Sequence, residues 1–64
     1  RALTSYGKVT AKSANRSRIE VRYKDGWREI IARKRYTLID PQDRRVVDRP
    51  ARPSDYDRLL SAGP

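Results

Sequence analysis

Nucleophilic catalysis is hard to build from these residues. The chain has no cysteine to supply a thiolate and no histidine to deprotonate a hydroxyl, so a serine would have to rely on a lysine base. A carboxylate pair is available on composition. Glu20 and Glu29, however, are flanked by arginines on an alternating stretch and read as ion-pair partners, not as a perturbed acid and base. The three glycines, at 7, 26 and 63, form no phosphate-cradling loop. Without cysteine or histidine, disulfides and the usual zinc ligands are excluded. Asp40 and Asp43 invite a calcium reading, but the glycine and terminal glutamate of a calcium loop are missing, and a turn role fits better. The expectation is a chain without enzymatic activity, metal or cofactor.

Binding chemistry is better supplied. Sixteen Lys/Arg face eight Asp/Glu, for a net charge of +8, and the excess is unevenly placed. Residues 1–35 hold eleven cations and three carboxylates, whereas residues 36–64 hold five of each. Such an asymmetry suggests an anionic partner: nucleic acid, acidic lipid or an acidic protein or polymer. The alternative is a solvated, solubilising surface. The candidate anion-binding residues are Arg18, Arg22, Lys24, Arg33, Lys34 and Arg35, together with Trp27. Cations beside an aromatic could hold phosphates while the ring stacks on a base. Against a nucleic-acid reading, Glu20 and Glu29 interrupt the patch and no recognised nucleic-acid module is legible.

The elements that must position these residues are short strands. Two alternating runs meet at Asp25-Gly26, a dipeptide preferred in a type I′ turn. A two-residue loop there would set Arg22 opposite Glu29 and Val21 opposite Ile30, making Ile19, Val21, Tyr23, Ile30 and Ala32 the core face. Trp27 and Ile31 would then lie on the charged side, either covered by the rest of the chain or left for a partner. The covered reading is preferred, because a small domain rarely leaves its only Trp outside. Upstream, residues 6–12 read as an exposed edge strand with lysines suited to an edge, after a fraying segment over 1–5. Gly7 marks a bulge or the strand start, and residues 13–17 have turn composition, with Asn15 suited to a left-handed position.

Downstream, Arg33-Lys34-Arg35 reads as a turn and residues 36–40 as a strand apolar on both faces, and so covered on both sides. Asp40-Pro41-Gln42-Asp43 reads as a type I turn and residues 44–49 as the last strand. Pro50 to Pro53 ends the sheet. A C-terminal helix follows over 54–62, with Ser54 as N-cap, Asp57 as its box partner and Gly63-Pro64 as the stop. Tyr56, Leu59 and Leu60 share the side that would dock on the sheet.

The run R-I-E-V-R-Y-K-D-G-W-R-E-I-I, then R-Y-T-L-I-D-P-Q-D-R-R-V-V-D-R-P-A and S-D-Y-D-R-L, resembles small exported proteobacterial proteins of unknown function. The likeness covers roughly residues 18–60 and rests on structural turns. It implies a periplasmic setting after signal-peptide removal, consistent with the absence of a starting Met, and it brings no functional residues.

The fold expected is a small α+β domain, mainly β, spanning 1–64: an antiparallel meander of four or five short strands with one short C-terminal helix. With twelve Leu, Ile and Val residues and no Phe, its core is marginal, and a partner or a second copy could add stability. No run of 18 apolar residues is present to cross a membrane. The function expected is a non-enzymatic interaction module, periplasmic, meeting an acidic protein or envelope polymer. The alternative is a nucleic-acid-binding domain using residues 18–35.

Overall fold

The computed structural model describes residues 8–62. Five strands follow one another as β1 (Val9–Ala14), β2 (Arg18–Tyr23), β3 (Arg28–Ala32), β4 (Arg35–Ile39) and β5 (Arg45–Pro50), and α1 (Pro53–Ser61) closes the chain. The strands form one antiparallel sheet in the order β1-β2-β3-β4-β5, a simple meander. The fold class is therefore the one expected from the alternation. The expectations for residues 1–5, for Tyr6, for Gly7 and for Gly63-Pro64 lie outside the described residues.

The sheet has one face under α1 and one face open. Ile19, Val21, Ile31, Tyr36 and Leu38 form the buried core with Leu59 of the helix, and Trp27, Tyr23, Val47 and Tyr56 pack around it half-buried. Tyr36 and Leu38 lie under the helix. Thr37 and Ile39 point to the open face, where no element covers them among the described residues. The expectation that this strand is covered on both sides is corrected accordingly.

The central hairpin differs from expectation by one residue. Gly26 has φ +98, but Asp25 is not in the left-handed region, so the type I′ turn does not form. Gly26 N–H instead donates to Tyr23 C=O at 3.0 Å, and Tyr23 N–H to Trp27 C=O at 2.9 Å. The loop is the three residues Lys24-Asp25-Gly26, with the glycine in the left-handed position that such loops use. The extra residue turns β3 over. Arg22 now faces Arg28, Val21 faces Glu29 and Ile19 faces Ile31. Ile31 joins the core, Ile30 and Ala32 move to the open face, and Glu29 becomes fully buried.

The type I′ turn occurs one hairpin later. Ala32 pairs with Arg35, leaving Arg33-Lys34 as a two-residue loop. Their φ values are +54 and +64, the backbone that Asn-Gly adopts most cheaply. The third hairpin turn is close to expectation. Asp43 N–H donates to Asp40 C=O at 2.9 Å, and the Asp40 carboxylate accepts from the amides of Gln42 and Arg44 at 3.0 and 2.9 Å. Asp43 then takes φ +68, which widens the loop to three residues. Gly26 abuts this loop: a Cβ there would lie 3.1 Å from Pro41 Cβ.

Both edge strands are irregular. β1 carries a bulge between Val9 and Ala11, and β5 carries one opposite Leu38 and Ile39. Bulges, together with the cations and Pro50 along these strands, discourage edge-to-edge pairing. The helix is capped two residues earlier than expected. Arg52 is the N-cap residue, Pro53 occupies the first helical position, and Arg52 N–H donates to the Asp55 carboxylate at 2.8 Å. Proline is favoured there because the first-turn amide has no helical acceptor, and that preference displaces Ser54 and Asp57 from their expected capping roles.

Candidate functional site

The seven residues singled out for binding do not converge. Arg18, Arg22 and Arg35 project from the open face of the sheet. Arg33 and Lys34 form the β3–β4 turn at one end, and Lys24 and Trp27 lie at the other end of β3. A five-residue strand separates those ends by roughly 17 Å. Trp27 is half-buried against the core, consistent with the preference for a covered tryptophan.

On the open face the arginines are engaged. Arg18 and Arg22 both pair with Glu20, at 3.0 and 2.9 Å, and Arg35 pairs with Asp48 at 3.0 Å. Burial raises the Glu20 carboxyl, and its two guanidinium partners more than reverse this, leaving its pKa below the ordinary value. Arg22 and Arg28, directly opposite one another, would repel, but Arg28 turns to Asp43.

Under the helix lies a charged network that the sequence reading did not contain. Glu29 is 0% exposed and accepts hydrogen bonds from Tyr23 Oη and Tyr36 Oη. Arg58 Nη1 reaches both of its oxygens, at 2.8 and 2.7 Å. Next to it, Asp55 accepts from Arg49 at 2.7 and 3.1 Å, and the Arg49 guanidinium lies 4.6 Å from the Tyr36 ring centroid. The hydrogen bond from Arg49 is the main reason that the Asp55 carboxyl titrates low, at about 2. Burial, and then the Glu29 carboxylate, push the Tyr36 phenol above its ordinary value. No buried side-chain N or O among the described residues lacks a partner. The network clamps α1 to β3 and β5. Lys12 adds a further tie, with its Nζ donating to the carbonyls of Leu60 and, at 2.7 Å, Ala62.

Asp40 and Asp43, the carboxylates considered for calcium, are used in the turn. Asp40 holds Arg44 Nε at 2.7 Å, and Asp43 holds Arg28. Ser5 stands at S-x-x-K spacing from Lys8 and lies outside the described residues.

Cations and apolar surface meet at the end of the sheet that carries the β1–β2 and β3–β4 turns. A groove of about 460 Å³ opens there between the turns and α1. Its floor is Ile19, Ile31, Tyr56 and Leu60, and its rim carries Arg16 and Arg18 on one side and Arg33 and Lys34 on the other. Of the expected docking residues Tyr56, Leu59 and Leu60, Leu59 enters the core and Tyr56 packs against it half-buried, whereas Leu60 is 51% exposed. Asn15 shapes the first rim without adopting a left-handed backbone. Its Oδ1 accepts from the Ser17 and Arg18 amides at 2.9 and 3.0 Å. Ala51 N–H pins the other rim through Lys34 C=O at 2.8 Å. Arg16, Tyr56 and Leu60 were not anticipated as site residues, because only the tertiary fold brings the helix and both turns together.

The chain matches no family model, no curated protein and no solved structure.

Proposed function

We propose that this chain is a non-enzymatic binding module that engages an anionic partner through the basic end of its sheet. The observation that carries the reading is the distribution of ion pairs. Glu20, Glu29, Asp40, Asp43, Asp48 and Asp55 are all committed to arginines. Arg16, Arg33 and Lys34 are exposed and have no ion pair among the described residues; Lys8, Lys24, Arg45 and Arg52 share that state, but only the first three line one groove, and no carboxylate lines it. Unpaired cations set side by side around one groove attract a polyanion over a distance set by ionic strength. The setting proposed is the periplasm, from the likeness of the D-G-W, D-P and R-P-A segments to exported proteins. The partner proposed is an acidic protein or envelope polymer.

Nucleic acid is the alternative, served by the same cations. It is less favoured because the Trp27 ring is packed against the core and Glu20 and Asp48 already hold the arginines of the open face. A salt titration tests both readings, using polyglutamate and a mixed DNA/RNA pool as probes. Affinity for polyglutamate should fall as salt rises, and the R33E/K34E variant should lose most of it while R22E loses less. Absence of binding to either probe at about 50 mM salt, where screening is still modest, would refute the proposal. Preferential binding of the nucleic-acid pool would replace the acidic partner with the alternative.

A further inference from the structure

Building on that reading, we infer that the groove between α1 and the two basic turns takes an acidic peptide segment that carries a large apolar side chain. The floor is apolar, with Ile31 and Tyr56 flanking the half-exposed Leu60. The rim is cationic on both sides, and no carboxylate lines the groove. A purely ionic ligand would leave the floor wet, and a purely apolar one would leave the rim unanswered. An acidic peptide with a leucine or aromatic side chain answers both.

Two features of the backbone hold the rim in place before any ligand arrives. The Asn15 side chain locks the β1–β2 turn through the Ser17 and Arg18 amides. Arg33 and Lys34 stand in left-handed conformations where Asn-Gly would be easier, which directs two uncompensated cations outward at the mouth. Preorganised charge of this kind loses little entropy on binding. The groove volume also falls within the range of roughly 300–1,000 Å³ usual for ligand sites. A nucleic acid is a poorer fit, since Tyr56 is the single ring in a floor otherwise made of Ile19, Ile31 and Leu60, where successive bases would need several rings to stack on.

The test uses fluorescence anisotropy with the full chain and three labelled probes: a short peptide alternating glutamate and leucine, the same peptide with alanine for leucine, and a single-stranded oligonucleotide. The leucine peptide should bind more tightly than the alanine peptide by roughly tenfold or more, the worth of taking one leucine side chain out of water. L60D should erase that preference without unfolding the domain, because Leu60 is half-exposed, and circular dichroism checks the fold. R33E/K34E should weaken both peptides. Equal binding of the two peptides, or an L60D variant that keeps the preference, overturns the inference while leaving the ionic reading intact. Loss of all binding at low salt overturns both. An oligonucleotide that outcompetes the leucine peptide assigns the groove end to nucleic acid. A concentration-dependent dimer in sedimentation that L60D abolishes, with no peptide binding, assigns it to a second copy. Either of these last two results also overturns the inference.

Discussion

Replacing Glu29 perturbs the most enclosed charged side chain among the described residues. The carboxylate has no exposed surface and holds two tyrosine hydroxyls and the Arg58 guanidinium. The Arg58 side chain left behind is 39% exposed, so the cost lies at the lower end of the about 3–5 kcal/mol lost when one partner of a buried ion pair is removed. A domain of this length is stable by about 3–10 kcal/mol in total. E29A should therefore be unfolded or nearly so. E29Q keeps the shape and one acceptor but loses the charge, and a hydrogen bond to a charged group is worth about 1.5–3 kcal/mol. We expect it to cost about 2 kcal/mol. Urea denaturation followed by Trp27 fluorescence measures this, and with a slope near 1 kcal/mol per molar the midpoint should drop by about 2 M. The E29Q/R58M double variant should cost less than the two single variants added together, by about 1–3 kcal/mol, because the same ion pair is lost in each. A midpoint shift below about 0.5 M for E29Q, or strict additivity, would refute the claim that this pair clamps the helix to the sheet.

Three further predictions concern acid and turns. The Asp55 pKa, lowered from 3.8 to about 2, makes its ion pair with Arg49 stabilising above the unfolded value. That contribution should shrink as pH falls from about 5 toward 2, by about 1–2 kcal/mol after screening by solvent, and D55N should flatten the acid limb of a stability–pH curve. An unchanged acid limb would show that Asp55 is not the group responsible. K34G should raise stability by about 1 kcal/mol by relieving a left-handed lysine, yet weaken polyglutamate binding. G26A should lower stability by at least about 1 kcal/mol, because its φ is +98 and Pro41 leaves a Cβ little room. Thermal unfolding of the two variants reads both signs, and opposite signs to these would count against the turn assignments.

Much of the architecture follows from local pattern. Alternation located the later strands almost to the residue, and Asp40 and Pro41 identified their turn because an aspartate that accepts from following amides acts locally. The cation-rich 33–35 turn and the helix after Pro53 were legible for similar reasons. The candidate site was legible only in part: Arg18, Arg33 and Lys34 reach the groove, whereas Lys24 and Trp27 are a strand's length away.

Local pattern could not decide the parity of β3. Ile30 and Ile31 are adjacent, so either can face a core, and Asp-Gly serves both a two-residue type I′ loop and a three-residue loop with glycine left-handed. The hairpin therefore permits two registers that differ by one residue, and these carry opposite faces inward. Turning Glu29 inward is tolerable only because Tyr23, Tyr36 and Arg58 meet it there, and two of those three come from elements beyond the hairpin. The groove has the same origin, since its floor is shared by β2, β3 and α1 and its cations by two separate turns. The sequence by itself determined where the strands, turns and helix lie, because those preferences are set within a few residues. Tertiary structure decided which face of β3 is buried and which cations flank the groove, because both depend on groups brought together from distant parts of the chain.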